Sequence, residues 1–256
     1  MRKTTIIKLE DIKLKRGVLV QGLPGLGFAG KIAVDYIISE LKLKKVAELY
    51  SPHFMLPHGS AGVYITQEAL LRLPHYEFYL FKGENRDVLF LAGDVQPVSW
   101  GQYEVADILL DFFKEIGGEE VVIVCGTTAG ERERTKTGIP PIFIVADSKT
   151  TKQELLQMGF KPSIGGTITG AAGVLPALAY KKGLKSYVLM ASTQSAEPDP
   201  EAGRELVKAL NRLFNLNVSL ENLENIITEL KKREEELEKI RETWTKKEGK
   251  PPQYYV

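Results

Sequence analysis

Apolar residues along this chain follow two rhythms in turn. Some stretches are short and nearly continuous in β-forming residues: GVLVQG at 17–22, KKVAELY at 44–50, RDVLFLAGD at 86–94, EEVVIVCG at 119–126, PIFIVAD at 141–147 and LKSYVLMAS at 184–192. Runs of this kind suit strands covered on both faces. Between them the spacing changes to the helical period. Ile32, Tyr36, Ile37 and Leu41 share one face of a helix expected over 28–41. Val105, Ile108, Leu109, Phe112, Phe113 and Ile116 do the same over 103–116. A third helix is expected from Pro200 to Phe214, with Asp199 as its N-cap and Pro200 in its first turn. Strands alternating with helices predict a sheet with helices on both faces. The runs AGVYITQ and YEFYLFK, at 61–67 and 76–82, have short connections, so that part of the sheet is expected to be antiparallel. The fold class that follows is α/β: a three-layer α/β/α sandwich with a mostly parallel sheet, filling residues 1–217.

The pattern then changes. From 218 to 248 the chain is charged and helical, with Leu223, Leu230, Leu237 and Trp244 at heptad spacing. Ile226 and Ile240 occupy the second apolar heptad position, and Arg233 interrupts between them. These six apolar residues form a narrow seam, suited to docking on the domain or on another copy of the chain. Residues 249–256 start at the helix-stopping Gly249 and read as a flexible, proline-stiffened tip, GKPPQYYV.

Composition narrows the function classes. The net charge of +1 over 256 residues carries no field that favours nucleic acid or an anionic membrane. One cysteine, Cys125, excludes an internal disulfide and fits a reducing cytoplasm. No apolar run approaches the roughly 20 residues that span a bilayer, and the first residues lack the apolar core of a signal peptide.

Candidate chemistry is concentrated in one loop. Gly25, Gly27 and Gly30 form G-x-G-x-x-G between a strand and a helix, the layout of a dinucleotide-binding turn. Glu48, about 20 residues on, has the place of the acid that bonds a ribose hydroxyl. Against this, Pro24 removes a backbone donor beside the turn, and Lys31 does not stand in a P-loop pattern. The glycines equally allow a sharp turn with close helix packing. Thr127, Thr128 and Thr167 lie in two glycine-rich segments and could bind a phosphate or sugar, or serve only as loop and helix-start residues. Asp94 could be a general base or a turn former. The three histidines match no metal-ligand spacing.

Several segments together resemble a known family. GLPGLGFAGKIAVDYI, GDVQP, VVIVCGTTAG, ITGAAGVLPALAYKKG and EPDPEAGRELVKALN, in this order over about 15–225, look like the archaeal branch of the proteasome assembly chaperone family. The resemblance implies an α/β/α sandwich that is not an enzyme, needs no cofactor or metal, and has the 20S proteasome α-ring or its subunits as partner. It makes the glycine loop a structural turn. The ending Tyr254-Tyr255-Val256 is similar to the hydrophobic–tyrosine–X terminus of proteasomal regulators. By that resemblance Tyr254 is the hydrophobic element, Tyr255 the key tyrosine and Val256 the donor of a carboxylate. The reading is an ATP-independent, cytoplasmic, homo-oligomeric proteasome-binding protein, a tetramer or small ring, with no nucleic acid or membrane partner. Two rivals are a nucleotide- or nucleoside-binding enzyme using the Gly22–Gly30 loop, and an adaptor for a non-proteasomal partner.

Overall fold

The computed structural model describes residues 3–194 and 196–248. Close contacts divide the chain into two units, Met1–Val218 and a second from Ser219 onward.

In the first unit the chain runs β1 (Thr5–Lys8), β2 (Gly17–Gly22), α1 (Ala29–Glu40), β3 (Lys44–Tyr50), β4 (Tyr64–Ile65), β5 (Leu71–Arg72), β6 (Tyr76–Phe81), β7 (Val88–Gly93), α2 (Gln102–Glu115), β8 (Gly118–Thr127), α3 (Glu131–Thr137), β9 (Ile142–Ala146), α4 (Lys149–Gln157), β10 (Lys161–Pro162), α5 (Ala171–Lys181), β11 (Lys185–Ser192) and α6 (Pro200–Phe214). Nine strands form one sheet in the order β1-β3-β6-β7-β2-β8-β11-β9-β10, and β4 pairs with β5 as a separate hairpin. The centre of the sheet, β7-β2-β8-β11, is parallel. The β1-β3-β6-β7 side is antiparallel, and β9 runs antiparallel to β11.

Alternation along the strands sends residues to two cores. Leu19, Leu89, Leu91, Val121 and Ile123 pack with Leu109 and Phe113 of α2 and Leu175 of α5. Val18, Val20 and Val122, also fully buried, lie outside that cluster, and α1 and α6 form the layer that packs on β2, β8 and β11. Asp199 caps α6 as expected, accepting from the Ala202 amide at 3.0 Å. Ser148 caps α4 in the same way, at 3.1 Å from the Thr151 amide. At the end of the unit Asn215 takes a left-handed conformation. The Asn211 side chain then bonds both the N–H and the C=O of Val218, at 3.0 and 2.9 Å.

Two expectations change. Of the run at 61–67 only Tyr64–Ile65 is a strand, and it pairs with β5 outside the nine-stranded sheet. The run at 141–147 is not a strand covered on both faces: in β9 only Ile144 is buried, and Val145 is 37% exposed. It lies beside β10, a strand of two residues at the edge of the sheet.

The second unit contains α7 (Glu221–Glu248). Its first turn is preceded by Ser219, whose hydroxyl accepts from the Glu221 amide at 3.3 Å.

Candidate functional site

The glycine loop joins β2 to α1 at the C-terminal end of the parallel strands. Gly27 has φ +61°, and a Cβ there would lie 2.5 Å from the Thr193 hydroxyl. Gly30 sits directly on β8, where a Cβ would come within 1.9 Å of the Val124 carbonyl oxygen. Gly22 faces Gly30 in turn, its Cβ position 2.2 Å from the Gly30 oxygen. These glycines let a helix lie in backbone contact with two strands. The loop oxygens are already engaged. Gly27 accepts from the Asp199 amide at 2.8 Å, and Pro24 from the Gln96 side chain at 2.6 Å.

Glu48, the acid expected of a dinucleotide site, is elsewhere. In that design the strand after the first helix lies beside the first strand. Here β7 and β6 stand between β2 and β3, so Glu48 is roughly 14 Å of sheet away from the loop. The dinucleotide reading therefore loses its ribose partner.

Gln96, in the GDVQP segment, braces the site. Its amide nitrogen donates to Pro24, and its oxygen accepts from the Ala171 amide at 3.1 Å, in the first turn of α5. Gly170 leaves room for it, since a Cβ there would fall 2.3 Å from the Gln96 oxygen. Behind this brace is a cavity of about 290 Å³ that brings together Thr127, Thr128 and Thr167, along with Gln21 and Cys125. Burial pushes the Cys125 thiol up to about 12, so it is neutral at physiological pH. Asp94 is held by Arg72 at 2.6 Å and by Lys31 at 3.7 Å, as one member of an ion network.

Beside the loop, Arg134 of α3 is 9% exposed. It makes a two-pronged pair with Asp199, bonds Glu201 at 3.0 Å and donates to the Ser192 carbonyl at 2.9 Å. Because Asp199 also caps α6 and bonds Gly27, one guanidinium ties α3, α6, β11 and the loop together.

A second polar cluster lies on β3 and β6. Ligand atoms of Glu48, His75 and Glu77 fall within 4.8 Å of one another. His75 Nδ1 is fixed on the Leu73 carbonyl at 2.8 Å, and its ring stacks on Tyr50 with centroids 4.9 Å apart. The Lys45 ammonium bonds Glu77 at 3.0 Å and pairs with Glu48 as well. These residues could hold a metal only if Lys45 withdrew, because its charge occupies the place of a cation. Histidine spacing alone missed the cluster, since Glu48 arrives from a different strand.

On α7, Leu223 is 3% exposed, whereas Ile226, Leu230 and Leu237 are 49%, 40% and 59% exposed. Ile227, absent from the expected seam, is 4% exposed. The side chains of Ile240 and Trp244, and the whole of Tyr254, Tyr255 and Val256, lie outside the described residues.

This architecture is shared with solved structures. The crystal structure of Pyrococcus furiosus PbaB, described as an archaeal proteasome activator, is 29% identical with a TM-score of 0.83, covering 93% of this chain and 100% of that one. The monoclinic form of Pyrococcus furiosus PbaA, described as an archaeal homolog of proteasome-assembly chaperone, is 25% identical with a TM-score of 0.75, covering 96% and 97%. A Methanocaldococcus jannaschii protein described as uncharacterized is 27% identical over 98% of this chain and 95% of its own. Residues 19–240 match the model of the PAC2 family, so the chain belongs to the PAC2 family.

Proposed function

We propose that this chain is a proteasome-binding protein that works by docking rather than catalysis and without ATP, opening the gate of the 20S particle. The observation that carries this reading is the likeness to PbaB, which extends over 93% of the chain at a TM-score of 0.83. The likeness to PbaA favours a related role in assembling the particle. The contact is Tyr254, Tyr255 and Val256. Tyr255 brings an apolar ring with a hydroxyl, and a carboxylate at Val256 can pair with a lysine in a pocket between α-ring subunits.

One such tail binds in about the millimolar range, worth roughly −4 kcal/mol. Several tails on one oligomer raise the effective affinity by orders of magnitude when they engage together. Self-association through α7 therefore belongs to the mechanism, with Ile226, Leu230 and Leu237 as contacts. The β4–β5 hairpin offers a second apolar surface for self-association: Ile65, Leu70 and Leu71 are 76%, 58% and 78% exposed. No described helix is long and apolar enough to cross a membrane, and the reading puts the protein in the cytoplasm with proteasomes.

The test is peptidase stimulation of archaeal 20S particles. The full chain should stimulate, and Tyr255→Ala should lose stimulation and binding without a change in fold. A Tyr255→Ala protein that stimulates like the wild type would remove the tail from the mechanism.

A further inference from the structure

Gln21 interrupts an otherwise apolar central strand. It is 3% exposed, and its strand neighbours are Leu91 and Ile123. Its side-chain amide makes no hydrogen bond to any described residue and opens onto the cavity at the ends of β2 and β8. The rest of this stretch, Val18 to Val20, is filled by apolar side chains, so what an amide adds here is a polar edge on the cavity wall. The other amide at the cavity, that of Gln96, is spent on Pro24 and Ala171. The wall is thus preformed, and Gln21 is left with both a donor and an acceptor to offer.

The rest of the lining defines the occupant. Thr127, Thr128, Thr167 and Thr169 line the cavity, and Leu23 and Met190 supply apolar surface. No Asp, Glu, Lys, Arg or His lies among the lining residues, so nothing there neutralises a phosphate or carboxylate. About 290 Å³ holds a single ring system with a small substituent and is too small for a dinucleotide. The crevice outside the carboxyl ends of parallel strands is also where open α/β sheets take their ligands.

We propose that this cavity binds a small uncharged planar heterocycle of nucleobase size, read through an adjacent donor and acceptor by the Gln21 amide. A glutamine amide pairs with such an edge in two parallel hydrogen bonds, the geometry by which it reads adenine. The site is separate from the proposed proteasome contact and does not depend on it.

Calorimetry and thermal melts of the full chain with adenine, hypoxanthine, cytosine and nicotinamide, each at about 1 mM, test the proposal. At least one probe should bind and raise the melting temperature. Gln21→Met should weaken that binding at least tenfold. Adenosine monophosphate should bind no more tightly than adenine. The proposal is overturned if none of the four probes binds the wild type, if Gln21→Met binds the probe as the wild type does, or if the monophosphate binds more tightly. The wild-type titrations decide the matter alone should Gln21→Met fail to fold.

Discussion

Glu77 is held by three neighbours: His75 at 3.3 Å, Lys45 at 3.0 Å and Tyr79 at 2.9 Å. Its hydrogen bond with His75, ahead of those with Lys45 and Tyr79, outweighs burial and lowers the carboxyl from 4.5 to about 2. Burial alone would lower His75, but its hydrogen bonds to Glu77 and the Leu73 carbonyl, with the charges of Glu77 and Glu48, raise it above 6.5. The two shifts have opposite signs in pH. The Glu77 contribution is present above about 4.5 and is lost as pH falls toward 2; the His75 contribution is present below about 6.5 and is lost as pH rises through its raised value. Both are complete only between those limits. Thermal melts should therefore show wild-type stability falling as pH rises above about 6.5, and a flatter profile for His75→Gln. At pH 5.5 the variant should be less stable by roughly 1.5–3 kcal/mol, the range for a hydrogen bond to a charged group. Parallel profiles for the two proteins above pH 6.5 would show that His75 does not titrate with folding.

For α1, the three glycines of the apparent cofactor motif are unequal. At Gly25 the nearest atoms to an added Cβ are 3.9 Å away, whereas at Gly30 the Val124 carbonyl is at 1.9 Å and cannot yield without moving β8. Gly25→Ala should change stability by no more than about 0.5 kcal/mol. Gly30→Ala should cost about 3 kcal/mol, at the upper end of overpacking, or roughly 6–12 °C in melting temperature. Denaturant and thermal melts of the pair check this; equal losses at both positions would contradict the packing account. The same contrast explains what was legible beforehand. The spacing of glycines announced a strand–turn–helix, but whether they face a ligand or β8 depends on which strand lies beside β2, and pairing order leaves no local mark. Elements with a periodic apolar face, α1, α2 and α6, came within a residue or two of their observed bounds. The helix α5 did not, because Pro176 and an almost wholly apolar sequence hide its period; α3, ERERTKT, is all polar and depends on the distant partners of Arg134. In the cavity, the threonines were visible as a cluster, and a glutamine within VLVQG was the local signal for Gln21 that periodicity alone passes over.

As a whole molecule, the chain has two properties that bear on how it would work. If α7 is the seam between copies, light scattering should give a multiple of 28.5 kDa at micromolar concentration. Replacing Leu230 and Leu237 together by Glu should lower that mass while leaving the circular dichroism unchanged, and should weaken 20S stimulation by removing multivalency. A wild-type protein of 28.5 kDa under these conditions would rule the seam out. The other property is the place of β2. It is made second among the strands yet lies at the middle of the sheet, between β7 and β8. Its partners follow only at residues 88–93 and 118–127. At ribosomal rates of 5–20 residues per second, the Val18–Val20 edge emerges and then waits on the order of ten seconds for a neighbour. During that interval its unsatisfied backbone and apolar side chains are open to any strand in reach. A protein whose family resemblance is to assistants of assembly thus has a period in its own synthesis when it is itself in need of one.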